Sequence, residues 1–108
     1  MVQEVDVRTF AAAHADGALV IDVREPFEYA AGHVPGARLV PLGTVPRAVR
    51  DLPGDRAVYV ICASGNRSLT AASWLSQMGV DARSVAGGTT GWAQAGLPVV
   101  HGTRENAA

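Results

Sequence analysis

The chain has 108 residues, 48% of them apolar and 18% charged, with a formal net charge of −1. These values fit one globular domain with a single core and exclude a disordered, collagen-like or disulfide-scaffold chain. All nine basic residues are arginines scattered along the sequence, which argues against nucleic-acid binding, and no stretch approaches the roughly 20 apolar residues of a membrane span.

Cys62 is the single cysteine, so it has no disulfide partner within the chain. The start, MVQEVDVRTF, lacks the basic region of a secretory signal, and the apolar run ALVIDV is short and carries Asp22. A lone thiol without such a signal predicts a cytoplasmic protein. His14 and His101 read as surface residues, no cluster has metal-ligand spacing, and neither a metal nor a cofactor is expected.

Strand and helix patterns alternate along the chain. After a short strand near Val2 to Val5, Asp6 can cap a helix whose inner face uses Val7, Phe10 and Ala11 and which ends before Gly17. Ala18 to Val23 reads as a buried strand. Pro26 suits the first turn of a helix that stops at Gly32; a short strand over Arg38 to Val40 and a short helix over Thr44 to Leu52 follow. AVYVIC, Ala57 to Cys62, is the clearest strand, set between a Pro-Gly-Asp turn and a Gly-Asn loop. From Arg67 to Met78, Ala71, Trp74, Leu75 and Met78 recur at helical spacing, and Gly79 is a natural terminator. A last strand over Arg83 to Ala86 leads through GGTTGWAQAG into a short helix, then LPVV and a polar tail from His101 to Ala108 that is expected to fray, with 102–108 as a flexible tail of the one domain. Near-continuous apolar strands alternating with helices imply an α/β domain with a largely parallel sheet covered on both faces.

In such sheets, ligands bind at the carboxyl ends of strands, where loops enter helix N-termini, and Cys62 stands at such an end. Unpaired amides of the first helical turn and the helix dipole both favour thiolate over thiol there. Arg67, five positions on, adds a positive charge, so the Cys62 pKa should fall below the ordinary thiol value of about 8.5. Gly65 can take a positive φ and Asn66 tolerates one, letting successive N–H groups curl into an anion-binding nest. A free cysteine is often only a small buried apolar residue. Gly65, Asn66 and Arg67 directly after it, at a strand-to-helix junction, favour a reactive role.

The loop Cys62-Ala-Ser-Gly-Asn-Arg67 resembles the active loop of the rhodanese family of sulfurtransferases. Cysteine-dependent phosphatases look similar but place five residues between cysteine and arginine, whereas this loop has four. The segment Asp22 to Ala37, DVREPFEYAAGHVPGA, is similar to the family's first signature at Asp22, Arg24, Glu28, Gly32, His33, Pro35, Gly36 and Ala37. GGTTGW, Gly87 to Trp92, and the following Gly96-Leu-Pro98 match the pattern after its last strand. The resemblance implies a rhodanese-like fold, with a five-stranded mostly parallel sheet and helices on both sides, in its stand-alone single-domain form.

It also implies roles. Cys62 would attack the outer sulfur of an anionic donor such as thiosulfate and carry it as a persulfide, with the amides of Ala63, Ser64, Gly65, Asn66, Arg67 and Ser68 stabilising the terminal sulfur. The acceptor would be cyanide in an assay and a small thiol or protein cysteine in the cell, giving ping-pong kinetics. Ser64 and Ser68 can add hydroxyl donors or serve the loop and cap structurally. Asp22 reads as structural, hydrogen-bonded to backbone or Arg24, with direct proton transfer the lesser alternative. Arg24 and Glu28, four apart, read as an ordinary surface pair. His33 reads as structural rather than as a base, Gly87 and Gly88 as permitting close backbone approach, and Trp74 and Trp92 as core. A monomer or weak dimer is expected, without nucleic-acid or membrane partners. The alternatives are a non-catalytic binding module of the same fold, or a small phosphatase or arsenate reductase. Cys62 and Arg67 weigh against the first, and the loop length and the lack of a resolving cysteine against the second.

Overall fold

The apolar runs that read as strands pair side by side into one sheet in a computed structural model that describes residues 2–106. The elements, in chain order, are β1 (Gln3–Val5), α1 (Val7–Ala15), β2 (Leu19–Asp22), α2 (Pro26–Ala31), β3 (Arg38–Leu39), α3 (Val45–Ala48), β4 (Val58–Ile61), α4 (Asn66–Gln77), β5 (Ala82–Val85) and α5 (Gly88–Gln94). The strand order is β1-β5-β4-β2-β3, and every pair in the sheet is parallel. The five-stranded α/β architecture is the expected one, with parallel pairing throughout instead of mostly.

Central position explains the composition of β4. All four of its residues are buried, because helices cover both faces and neighbours pair both edges. Side chains alternate. Val58 and Val60 join Cys62, Ile21, Ala71, Ala72, Leu75 and Ala82 in one core, whereas Tyr59 and Ile61 join Phe10, Tyr29, Val85 and Trp92 in the other. The period-2 alternation continues to Cys62 and sends its side chain toward α4.

Local signals placed most element ends. Asp6 Oδ1 accepts the Thr9 amide at 2.8 Å and starts α1, as expected of a helix cap. Pro26 occupies the first turn of α2, which stops before Gly32. Thr44 to Leu52 is not one helix: α3 is a single turn flanked by 3₁₀ turns at Leu42–Thr44 and Val49–Asp51. Pro46 stands in the first turn of α3, where a helix has no use for its missing N–H.

Three expectations about packing are corrected. The buried face of α4 is Ser68, Ala71, Ala72 and Leu75, while Trp74 packs only partly and Met78 is exposed. Small residues at 68, 71 and 72 let the helix lie closer to the sheet than bulky ones would. His14 is half-buried, with Nε2 2.7 Å from the Pro35 carbonyl and its ring edge-on to Trp92. The segment after Val100, expected to fray, folds back on α2 and on the loop from His33 to Ala37: Gly102 N–H donates to Ala30 O at 2.8 Å and Gly36 N–H to Glu105 O at 2.9 Å. Residues 107 and 108 of the expected flexible tail lie outside the described residues.

Candidate active site

Cys62 follows the last residue of β4 and is 1% exposed. Gly65, at φ +115°, turns the chain sharply enough that its own N–H donates to Cys62 Sγ at 3.1 Å and α4 begins at the next residue. Asn66 does not share the left-handed conformation; it is already helical. Ser68, in the first turn of α4 and fully buried, sets its hydroxyl 3.4 Å from the sulfur.

These donors act against burial. Desolvation pushes the Cys62 pKa up, but the Ser68 hydroxyl and the amides of Ser68, Gly65 and Ser64 outweigh it and hold the thiol below its ordinary range. The arrangement can therefore keep sulfur anionic in a sheltered place. Of the expected cradle of amides from Ala63 to Ser68, those of Ser64, Gly65 and Ser68 face the sulfur.

A second helix start braces the loop from the other side. Thr89 N–H donates to the Cys62 carbonyl at 2.8 Å and Thr90 N–H to the Ala63 carbonyl at 3.0 Å. Gly88 makes that approach possible, since a Cβ there would stand 2.5 Å from Cys62 O and 2.6 Å from Ala63 O. Gly87 borders Gly65 less tightly: a Cβ on Gly65 would meet the Gly87 amide nitrogen at 3.3 Å, whereas a Cβ on Gly87 itself would meet only ordinary contacts, the nearest at 3.7 Å. Close approach was the expectation for both glycines. The threonine amides were not foreseen, because a backbone contact leaves no residue-type signature.

The charged residues pair differently from the expectation. Arg24 is buried and forks onto Asp22, with Nη2 2.8 Å from Oδ2 and Nε 3.0 Å from Oδ1, and it also donates to the Gly32 carbonyl at 2.8 Å. Glu28 instead takes Arg67 in a two-pronged bridge of 2.7 and 2.8 Å. The expected Arg24–Glu28 pair fails because Arg24 precedes α2, so the four-residue helical spacing does not apply. Arg67 is thus aimed at the rim. Its hydrogen bond to Glu28 raises its pKa more than the charge of Cys62 does, and the same bond is the largest cause holding Glu28 down to about 2.

His33 is buried away from the thiol's donors. Its ring stacks on Tyr29 at 3.6 Å, with Nδ1 2.8 Å from Tyr29 O and Nε2 2.7 Å from Arg104 O. Among the described residues, no group of three His, Cys, Asp or Glu could hold a metal ion.

Ser84 on β5 is the side chain that sequence reasoning passed over: it is fully buried, with its Oγ 2.8 Å from Ser68 Oγ. A signal existed. In Ala82-Arg83-Ser84-Val85, period-2 alternation puts Ser84 on the same side as Ala82, a polar residue where hydrocarbon is expected.

Residues 5–95 match the rhodanese-like domain family. The chain belongs to that family. Its rhodanese-like sequence is 37% identical over 103 residues to a protein named sulfurtransferase from Allochromatium vinosum, covering 93% of this chain and 96% of that one. Among solved structures, a rhodanese-related protein from Thermoplasma volcanium superposes with a TM-score of 0.83 at 33% identity, covering 90% of this chain and 96% of the other. A thiosulfate sulfurtransferase from Pseudomonas aeruginosa gives 0.87 at 25% identity, over 99% of this chain but 22% of its own.

Proposed function

We propose that this rhodanese-like protein is a sulfurtransferase that carries sulfane sulfur on Cys62. The observation that supports it best is the convergence of the Gly65, Ser64 and Ser68 donors on a sheltered sulfur whose pKa they lower. In the first half-reaction the Cys62 thiolate attacks the outer sulfur of a small anionic donor such as thiosulfate. A new S–S bond forms, the donor's S–S bond breaks, and sulfite leaves with the electron pair. Cys62 then bears a persulfide anion held by the same amides and by the Ser68 hydroxyl. In the second, a thiolate, a protein cysteine or cyanide attacks the terminal sulfur and restores the Cys62 thiolate. No separate base is needed once the thiolate exists. Asp22, Arg24 and His33 serve as supports of the rim and of the loop behind it, and Gly87 and Gly88 as the close bed of the loop.

Thiosulfate as donor is favoured by the name of the Pseudomonas aeruginosa relative, and a reducing compartment such as the cytoplasm by a buried thiol with no partner. Incubation with thiosulfate followed by intact-mass measurement tests the proposal. Wild type should gain the mass of one sulfur atom, lose it on addition of cyanide, and Cys62→Ser should gain nothing. A wild type that takes up no sulfur and hydrolyses an aryl phosphate would overturn the assignment.

A further inference from the structure

The proton of Ser68 has three places to go. Its Oγ lies 3.4 Å from Cys62 Sγ, 3.2 Å from the Gly65 carbonyl oxygen and 2.8 Å from Ser84 Oγ. A serine hydroxyl has a single proton to give. While Cys62 is a thiol, its S–H can donate to Ser68, and Ser68 can donate onward to Gly65 O or Ser84. An anionic sulfur only accepts, so the Ser68 proton turns to it, and the Ser68 oxygen then wants a donor of its own. Ser84 is in place to be that donor.

The burial of Ser84 supports such a role. Ser84 is 0% exposed, its register partners are Val60 on β4 and Glu4 on β1, and Ala82 on the same face of β5 is hydrocarbon. An alanine there would leave no polar group to satisfy, whereas a buried hydroxyl needs a partner. That partner is Ser68, one side chain from the sulfur.

We infer that Ser84 is a positioning residue: by donating to Ser68 Oγ, it directs the Ser68 proton onto the anionic Cys62 sulfur. It touches neither the sulfur nor a substrate. Donation by Ser84 also polarises the Ser68 hydroxyl, as in any hydrogen-bonded chain inside a protein. The charged side chains on the elements around the loop, Arg67 with Glu28 and Arg24 with Asp22, are paired with each other, and Glu4, in register with Ser84 on β1, is exposed to solvent. The inference rests on the thiolate chemistry proposed above, but its test requires no sulfur donor.

The rate of Cys62 alkylation by iodoacetamide, followed across pH, reads the thiolate directly. Ser84→Ala should move the midpoint up by about half a pH unit, so that about threefold less thiolate is present below it. Ser68→Ala should move it further, and the double variant should coincide with Ser68→Ala, because Ser84 acts only through Ser68. Ser84→Thr, which keeps a hydroxyl on the same carbon, should return the midpoint to wild type. An unmoved midpoint in Ser84→Ala, an equal shift from it in the Ser68→Ala background, or a Thr variant that matches Ala would each overturn the inference. A merely structural Ser84 would lower the urea midpoint and leave the pH profile in place. If the profile moves as expected while thiosulfate adds no sulfur, Ser84 keeps its role and the donor assignment falls.

Discussion

Both arginines that flank the loop are held by carboxylates, and this decides which residues govern the sulfur. Arg24 is locked on Asp22, and Arg67 on Glu28, so the depression of the Cys62 pKa comes from uncharged donors at hydrogen-bond range. Arg67→Ala should accordingly raise the thiosulfate KM by weakening attraction at the rim and leave the alkylation midpoint of Cys62 nearly in place. Steady-state kinetics and alkylation profiles measured together check this. The Glu28 carboxylate also carries a pH signature. Its pKa is about 2 when folded against an ordinary 4.5, so its contribution to stability is complete above 4.5 and fades as pH falls toward 2. Glu28→Gln should therefore be less stable than wild type at pH 7, by about 0.5–1 kcal/mol for so exposed a pair. The two urea-unfolding curves should converge as the pH is lowered through that window. Asp22→Asn should be far costlier, about 3–5 kcal/mol, because it leaves the Arg24 charge buried without its partner.

At the scale of elements, contact between α5 and the loop is set by one residue without a side chain. Gly88→Ala should destabilise the protein by about 2–4 kcal/mol, since the added carbon meets two carbonyl oxygens and the backbone there is left-handed at φ +57°. It should also raise the Cys62 alkylation midpoint, because the carbonyls that Thr89 and Thr90 hold belong to the same loop as the sulfur's donors. Much of this was legible beforehand. Apolar runs such as Val58 to Ile61 announce a strand covered on both sides, and Asp6, Pro26 and Gly79 mark helix ends through local chemistry that needs no tertiary information. The Cys62-to-Arg67 spacing pointed to the candidate site for the same reason: the donors around the sulfur all lie within seven consecutive residues, Cys62 to Ser68. What the sequence hid is non-local. The partner of Glu28 is 39 positions away, the hydroxyl facing Ser68 is 16 away on another strand, and the amides that brace Cys62 and Ala63 belong to α5. Short-range spacing rules, applied to Arg24 and Glu28, selected the nearer pair and missed the real ones.

For the molecule as a whole, the C-terminal segment packs over α2 and the loop that follows it. Val100 and His33 exchange backbone hydrogen bonds of 2.9 Å, and the carbonyls of Arg104 and Glu105 lie 2.7 and 3.1 Å from His33 Nε2. Removing residues 103–108 would strand the His33 ring nitrogen and the Gly36 amide, at a cost of about 1–3 kcal/mol. Urea titration of the truncated chain against the full one measures it, and equal midpoints would show that water replaces the tail without loss. The bracing of the loop by Gly88 and Thr89 has a different consequence. A nascent or unravelled chain carries an ordinary cysteine, and the donors that lower its pKa are gathered around the sulfur only by the folded loop that the fifth helix holds in place. A labelling reagent applied across a range of pH would tell the two apart: the unravelled thiol is open to solvent and follows the profile of a free cysteine, whereas the folded one is 1% exposed and its profile lies lower in pH.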